Sequence, residues 1–253
     1  MAMHDEVKEQ QQKLKGKTFR EKLDYFWYYY KVHTIVALFV IIVGTIFIRD
    51  AVTAKDSAFS AVLLNALGND SQEMIESDFA AYSDIDLEVY DCYIDTGSTL
   101  SYDTMSQMDL AVSQRIVALT QTGGIDVLIS NSEPFANFSQ GMMFKDLREE
   151  LTAEEYARFE PDFFYIDAAA LDADDAEPVY DENGMVEIVD TSIDHADPSA
   201  MKDPVPVGIY LKSVSRLKEY NCYPDSSVTP IFGFPATADH PDKAHLFLKY
   251  LTE

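Results

Sequence analysis

The fold class of this chain is decided by residues 123–134, GGIDVLISNSEP. The two glycines end a long amphipathic helix pattern over residues 101–122. Residues 125–129 are a short apolar strand pattern, and a polar turn follows at once. In open α/β sheets ligands bind where strands run into such turns. The stretch therefore predicts an α/β fold with a candidate ligand site at Ser130, Asn131, Ser132 and Glu133.

Two further strand patterns lie upstream of this stretch. Residues 59–66 (FSAVLLNA) predict a first buried strand, and residues 86–94 (DLEVYDCYI) alternate as a second. Between them, residues 71–83 carry apolar side chains at helical spacing, and Asn69 or Asp70 is placed to cap that helix. This alternation of strands and helices is the pattern of an α/β domain rather than of a β-sandwich.

The segments downstream of the turn continue the alternation. A strand that begins with Asp126-Val127 is followed by a helix pattern and then by residues 144–147 (FKDL). Thr152 and Glu155 have the spacing of a capping box and predict the start of another helix.

The C-terminal part adds two strand patterns and a closing helix. They cover residues 205–211 (VPVGIYL), 228–234 (VTPIFGF) and 240–251 (HPDKAHLFLKYL). In this order of elements, most of residues 58–251 resembles the type II periplasmic-binding-protein-like domains of extracellular solute-binding proteins. The resemblance implies a domain that binds a small solute, such as a sugar, a peptide or a cation. About 205 residues follow Arg49, which is short for such a domain, so we expect one reduced lobe and a shallow or absent cleft.

A membrane anchor is predicted by residues 32–48 (VHTIVALFVIIVGTIFI), which contain no charged side chain. A spanning helix needs about 20 mostly apolar residues, and the aromatic residues 25–30 (YFWYYY) extend the segment as an interfacial belt. More lysine and arginine residues lie before the segment than directly after it, which predicts a cytoplasmic N-terminus.

This topology divides the chain into four parts. We expect a basic and aromatic cytoplasmic arm (1–31), a transmembrane helix (32–48), a tether (49–57) and an extracellular α/β domain (58–253). The protein would then be a single-pass, signal-anchored protein of the bacterial cell surface. The alternative is a signal peptide cleaved after Val52-Thr53-Ala54, but the long segment before the span and the charges of Arg49 and Asp50 favour an uncleaved anchor.

The predicted extracellular part is strongly acidic. Seven of the 19 basic and five of the 44 acidic residues precede the span, which leaves 12 basic and 39 acidic residues after it and a charge of −27. Such a surface repels phosphate backbones and anionic lipid headgroups, which argues against nucleic-acid binding. Its charge keeps an exported domain soluble or favours cationic and polyhydroxyl ligands.

The two cysteines, Cys92 and Cys222, both follow the span. Two interpretations are open from the sequence. A disulfide would close a loop of about 130 residues and stabilise the domain by roughly 4–5 kcal/mol in the chain-entropy model. Otherwise the two residues are unpaired thiols in the core.

Other residue types with catalytic or metal-binding chemistry fit plain structural roles. The acidic run at residues 172–177 lacks the glycine and glutamate spacing of a calcium loop, and Asn183-Gly184 predicts a hairpin turn. His240 and His245 are five residues apart, which is not the spacing of a helical zinc pair. The sequence has no nucleophile elbow and no phosphate-binding loop. We therefore expect no metal, no cofactor and no catalysis.

Two functions remain compatible with the sequence. The first is a membrane-tethered binding module of solute-binding type whose ligand the sequence does not identify. The second is an interaction or structural subunit of a membrane complex at the cell surface, with a vestigial ligand cleft.

Overall fold

The computed structural model describes residues 18–53, 55–68, 71–102, 105–171, 194–212, 214–225 and 227–253. The chain divides into two compact units, residues 1–54 and residues 55–253. Predictions for residues 1–17, for Asn69 and Asp70, and for the segments 172–177 and 183–184 lie outside the described residues.

The described part of the first unit is a single helix, α1 (Phe19–Thr53), of 35 residues. Within it, Tyr30–Arg49 forms a 20-residue stretch of mean hydropathy 2.3, no part of which is buried. At 1.5 Å per residue this stretch is about 30 Å long, the thickness of a bilayer's hydrocarbon core. The hydroxyl of Thr45 donates to the Ile41 carbonyl at 2.7 Å, so this polar group is satisfied inside the helix. By length and composition the helix is able to cross a membrane.

The second unit is built on a six-stranded sheet of order β2-β1-β3-β6-β5-β4. Strands β1, β2 and β3 pair in parallel, whereas β6, β5 and β4 pair antiparallel with their neighbours. The strands are β1 (Asp56–Leu63), β2 (Tyr90–Asp95), β3 (Val127–Ser130), β4 (Phe163–Asp167), β5 (Pro204–Tyr210) and β6 (Ile231–Gly233).

Helices cover both faces of this sheet. They are α2 (Gln72–Tyr82), α3 (Gln107–Gln121), α4 (Ser132–Gln140), α5 (Leu147–Glu150), α6 (Ala153–Phe159), α7 (Ala168–Leu171), α8 (Ser215–Glu219) and α9 (Pro241–Thr252). Short 3-10 turns lie at Glu160–Asp162 and Pro198–Ala200. The mixed α/β class predicted from the sequence is confirmed.

The burial of both sheet faces explains why residues 61–63 of β1 and 127–129 of β3 are uninterrupted apolar runs. On β1, Phe59 and Leu63 pack with α2 and α9 on one face, while Val62 packs with α3 and α4 on the other. On β3, Ile129 and Leu128 divide in the same way. A strand with two buried faces has no polar positions to alternate with.

Element boundaries differ from the sequence predictions at several places. The helix predicted over 101–122 begins at Gln107, because Ser106 and Asp109 form a capping box there. It ends as predicted, since Gly123 adopts a φ of +75°. The capping box of Thr152 and Glu155 is present at the start of α6. Most of the range 49–57, expected as a tether, belongs to the end of α1 and the start of β1.

The two cysteines are free and buried, so the predicted alternative of a disulfide is corrected in favour of unpaired thiols. The side chain of Cys222 lies against Gly68 and contacts the Tyr220 carbonyl at 3.7 Å, while Cys92 sits on β2 in register with Phe59. Burial raises the pKa of Cys92 to about 12 and that of Cys222 to about 11. Both thiols are therefore weak nucleophiles in the folded domain.

Helix α4 approaches the sheet closely over two glycines. The ring of Phe135 stacks on Phe144 with centroids 4.4 Å apart. A Cβ at Gly208 would lie 2.6 Å from Phe135, and a Cβ at Gly233 would lie 2.7 Å from Phe144 and 2.8 Å from Phe135. Only glycine leaves room for this buried aromatic stack, which sets how near α4 lies to β5 and β6.

We expect Gly233→Ala to destabilise the domain by about 1–3 kcal/mol, because the new methyl group forces the buried rings to shift. The matched control is Gly141→Ala, where the nearest atom would be 3.5 Å away and φ is −79°, so the change should stay within about 0.5 kcal/mol. Urea unfolding followed by circular dichroism measures both. Equal effects of the two substitutions would contradict the packing argument.

Candidate functional site

The carboxyl ends of the parallel strands β1, β2 and β3 lie along one edge of the sheet. The loops that leave these strands bring together Asn65 after β1, Asp95 at the end of β2 and Asn131 after β3. This edge, called the carboxyl edge below, is the place where open α/β sheets bind ligands. The four residues predicted as a ligand site all lie here.

Asn65 ties the loops of the carboxyl edge together. Its amide nitrogen donates to the Leu100 carbonyl at 2.9 Å and to the Asn131 side-chain oxygen at 2.8 Å, and its own oxygen accepts from the Leu100 amide at 2.7 Å. The residue has a φ of +62°, a conformation that asparagine tolerates better than most residues. The side chain of Asn131 is thus held by a partner in the same domain.

The other three predicted residues are placed differently from one another. Ser130 is fully buried, and its hydroxyl donates to the Asn131 carbonyl at 3.1 Å. Burial raises the pKa of Tyr210 on β5, and the Ser132 hydroxyl beside that ring partly offsets the effect. Glu133 is exposed in the first turn of α4, where its charge is one of the causes that raise the pKa of Tyr102, after burial of that ring. The four residues lie together at the carboxyl edge, and their ligand-binding role stays a prediction.

A second hydrogen-bonded group lies at the end of β2. Asp95 is buried and accepts from the guanidinium of Arg115 on α3, from the Ser98 hydroxyl at 2.7 Å and from the Gly97 amide at 2.9 Å. Burial alone would raise the pKa of Asp95, but the hydrogen bonds from Ser98, Gly97 and Arg115 outweigh it and hold the pKa below its ordinary value.

A third carboxylate, Asp126, lies at the opposite end of β3. Its two oxygens accept from the Ser60 amide on β1 at 2.8 Å and from the His240 amide at 2.7 Å. The imidazole of His240 is a further contact at 3.2 Å. Because His240 precedes the first turn of α9, the buried charge also faces the positive end of that helix. Asp126 is therefore a structural residue.

A cavity of about 580 Å³ lies away from the carboxyl edge, between α6 and α9. Its wall includes Glu155, Arg158, His245 and Lys249. The His245 ring bridges two carboxylates, Glu150 and Glu155, at 3.3 Å each. Charges of both signs lie in this wall beside the apolar side chains of Phe159, Leu246 and Leu248, so the cavity is suited to molecules with both polar and apolar groups.

A second cavity, of about 320 Å³, lies between the ends of α3 and α4. Its wall is mainly apolar. In the described residues no group of three or more histidine, cysteine, aspartate or glutamate side chains could hold a metal ion.

Sequence reasoning missed Asn65, Asp95 and Arg115. A signal for Asn65 was present, because an asparagine that directly follows an apolar strand pattern is a common left-handed turn residue. Asp95 and Arg115 are 20 residues apart, and no local pattern joins them.

We expect Asp95→Asn to lower the free energy of unfolding at pH 7 by about 1–3 kcal/mol, through weaker hydrogen bonds to Arg115 and Ser98. Since the pKa of Asp95 is lowered in the folded state, its stabilising effect is present above the unfolded pKa of about 3.9 and is lost as the pH falls through the folded value. Urea titrations of both proteins from pH 7 to pH 3 measure the difference. A difference that stays constant over this range would contradict the assignment.

Comparison with known proteins gives no family for this chain: no family model, no curated protein and no solved structure matches it. The resemblance to type II solute-binding domains therefore rests on the sequence patterns alone.

Proposed function

We propose that this protein is a single-pass membrane protein that presents an acidic α/β domain outside the cytoplasm and acts by binding a ligand. The observation that carries the proposal is the 20-residue apolar stretch of α1, exposed along its length, joined to a separate compact unit. An apolar surface of this size is costly in water and is satisfied by lipid.

The charge distribution supports the orientation. The residues before the uncharged segment 32–48 carry seven basic side chains, whereas the part that follows this segment has a charge of −27. The positive-inside rule retains the first part in the cytoplasm.

Binding rather than catalysis is supported by the side chains of the domain. The polar groups of the carboxyl edge, such as Asn65 and Asp95, are engaged with partners in the same domain and are not paired as nucleophile and base. The domain does offer a cavity of about 580 Å³, within the range of small-molecule sites.

A second function, as an interaction subunit of a membrane complex, is favoured by one specific observation. The described residues of the domain form one unit around one sheet, so no cleft between two lobes is present among them. A solute-binding fold with one reduced lobe would leave such an arrangement, and the remaining surface would then serve protein contacts.

We expect a membrane-impermeant maleimide to label Ser199→Cys on intact cells and not Ala2→Cys. Ser199 lies in an exposed turn of the domain, and position 2 lies in the predicted cytoplasmic arm. The unsubstituted protein is the control, because its two buried thiols with raised pKa should react slowly. Labelling of Ala2→Cys alone would reverse the proposed topology.

We also expect a ligand to raise the thermal midpoint of the full-length protein in lipid nanodiscs. The panel consists of sugars, amino acids, peptides, polyamines and Ca²⁺. At 100 times its Kd, a ligand that binds only the folded state should raise the midpoint by about 5–10 °C. A flat response from a protein that melts cooperatively would overturn the binding function in favour of the interaction subunit.

A further inference from the structure

The smaller cavity, called the α3–α4 cavity, has a volume of about 320 Å³. It is enclosed by the last turns of α3 and α4 and by residues 236–237, and its apolar wall includes Val117, Phe138 and Met143. None of the described residues that line it carries a charge. A mainly apolar cavity of this size lies at the lower end of the range for small-molecule sites.

Two buried oxygen atoms of the cavity's residues have no hydrogen-bond partner in the described structure. They are the hydroxyl oxygen of Thr120 and the side-chain oxygen of Asn137. The amide nitrogen of Asn137 donates to the Glu133 carbonyl at 3.1 Å, and this fixes the orientation of the amide, because a carbonyl accepts only from N–H. The Thr120 residue is 4% exposed, and its backbone carbonyl, unlike its hydroxyl, accepts from Thr237.

Leaving these atoms unpaired is costly. A buried acceptor without a donor destabilises a protein by about 1–3 kcal/mol, and such atoms are rare in folded proteins. Here two of them belong to residues that line the same apolar cavity. An incoming molecule with an N–H group would supply the donor that the Asn137 oxygen lacks, whereas the Thr120 hydroxyl pairs with either a donor or an acceptor.

The mouth of the cavity is built to adapt. Met142 and Met143 lie there, and the unbranched methionine side chain repacks easily around a ligand. Met142 has a φ of +50° and is mostly exposed. A non-glycine residue in this conformation costs free energy and is found preferentially at functional sites. Because the two oxygens are covered, a ligand reaches them only when side chains of this wall move.

We infer that the α3–α4 cavity binds a small molecule with an apolar body and an N–H-bearing head, an aliphatic or aromatic amine. The oxygen of Asn137 is an acceptor only, so the ligand must donate to it. A carboxylate is disfavoured twice, because it has no N–H group for the Asn137 oxygen and because the exported part carries a charge of −27.

This inference rests on the proposed function and deepens it by naming a second site and its ligand class. The two are tested separately. The first panel reports on binding by the domain as a whole, whereas apolar amines and substitutions in the cavity report on this site alone.

The test uses full-length protein in lipid nanodiscs and three matched pairs of probes: benzylamine and benzoate, cyclohexylamine and cyclohexanecarboxylate, hexylamine and hexanoate. We expect at least one amine to raise the thermal midpoint saturably and its paired carboxylate to leave it unchanged. Titration calorimetry gives the affinity. The amines also partition into the lipid of the nanodiscs. The substituted proteins are measured in the same nanodiscs, so their signal gives this contribution and it is subtracted.

The variants are Thr120→Val, Asn137→Leu and the control Thr122→Val. Without ligand, Thr120→Val should raise the midpoint by about 2–4 °C, because it removes an unpaired buried hydroxyl. Each cavity variant should weaken amine binding at least tenfold. In the control the exposed Thr122 hydroxyl already bonds the Ala118 and Leu119 carbonyls at 3.1 Å, so amine binding should be unchanged.

The outcomes separate the two proposals. If an amine binds the unsubstituted protein and both cavity variants lose binding, the inference stands. If no amine binds, or if the cavity variants bind amines as well as the control does, the inference is overturned. The proposed function still stands in that case when a member of the first panel binds. A lower midpoint for Thr120→Val would also overturn it, because it would show that water already satisfies the hydroxyl.

Discussion

The buried carboxylate of Asp126 is the constraint on which the arrangement of the domain depends. It accepts from the Ser60 amide on β1 and from the His240 amide at the start of α9, and its own amide donates back to the Ser60 carbonyl at 2.8 Å. A buried charge is tolerated only where hydrogen bonds replace its water, so the three segments must stay together. This fixes where β3 begins beside β1, and the four residues of β3 then place Ser130 and Asn131 at the carboxyl edge.

Local patterns in the sequence were sufficient for much of this fold. The apolar runs at residues 61–63 of β1 and 127–129 of β3 follow from burial on both faces. The C-terminus of α3 follows from Gly123, and the N-terminus of α6 follows from the capping box of Thr152. These signals act over a few residues, where backbone conformation and side-chain chemistry are directly coupled. The α/β class and the candidate turn were predictable for that reason.

What the sequence could not provide depends on residues distant along the chain. The Asn65–Asn131 hydrogen bond joins positions 66 residues apart, and Arg115 reaches Asp95 from another helix. The α3–α4 cavity needs Thr120, Asn137 and Thr237 at once, and no periodicity relates them. The two cysteines illustrate the same limit, because the choice between a bond and two thiols is made by where the tertiary structure places each sulfur.

These two free thiols have a consequence for how the domain meets its surroundings. Since no covalent cross-link contributes, the folded state gains nothing from an oxidant and loses nothing to a reductant, so the domain should be indifferent to the redox state of the space into which it folds. The two thiols are protected from oxidation only while the domain is folded, however. When the chain opens, the desolvation that raises the pKa of Cys92 and Cys222 disappears, and the thiolates become available for mixed disulfides. Oxidation of Cys92 or Cys222 would therefore indicate that the molecule had been unfolded.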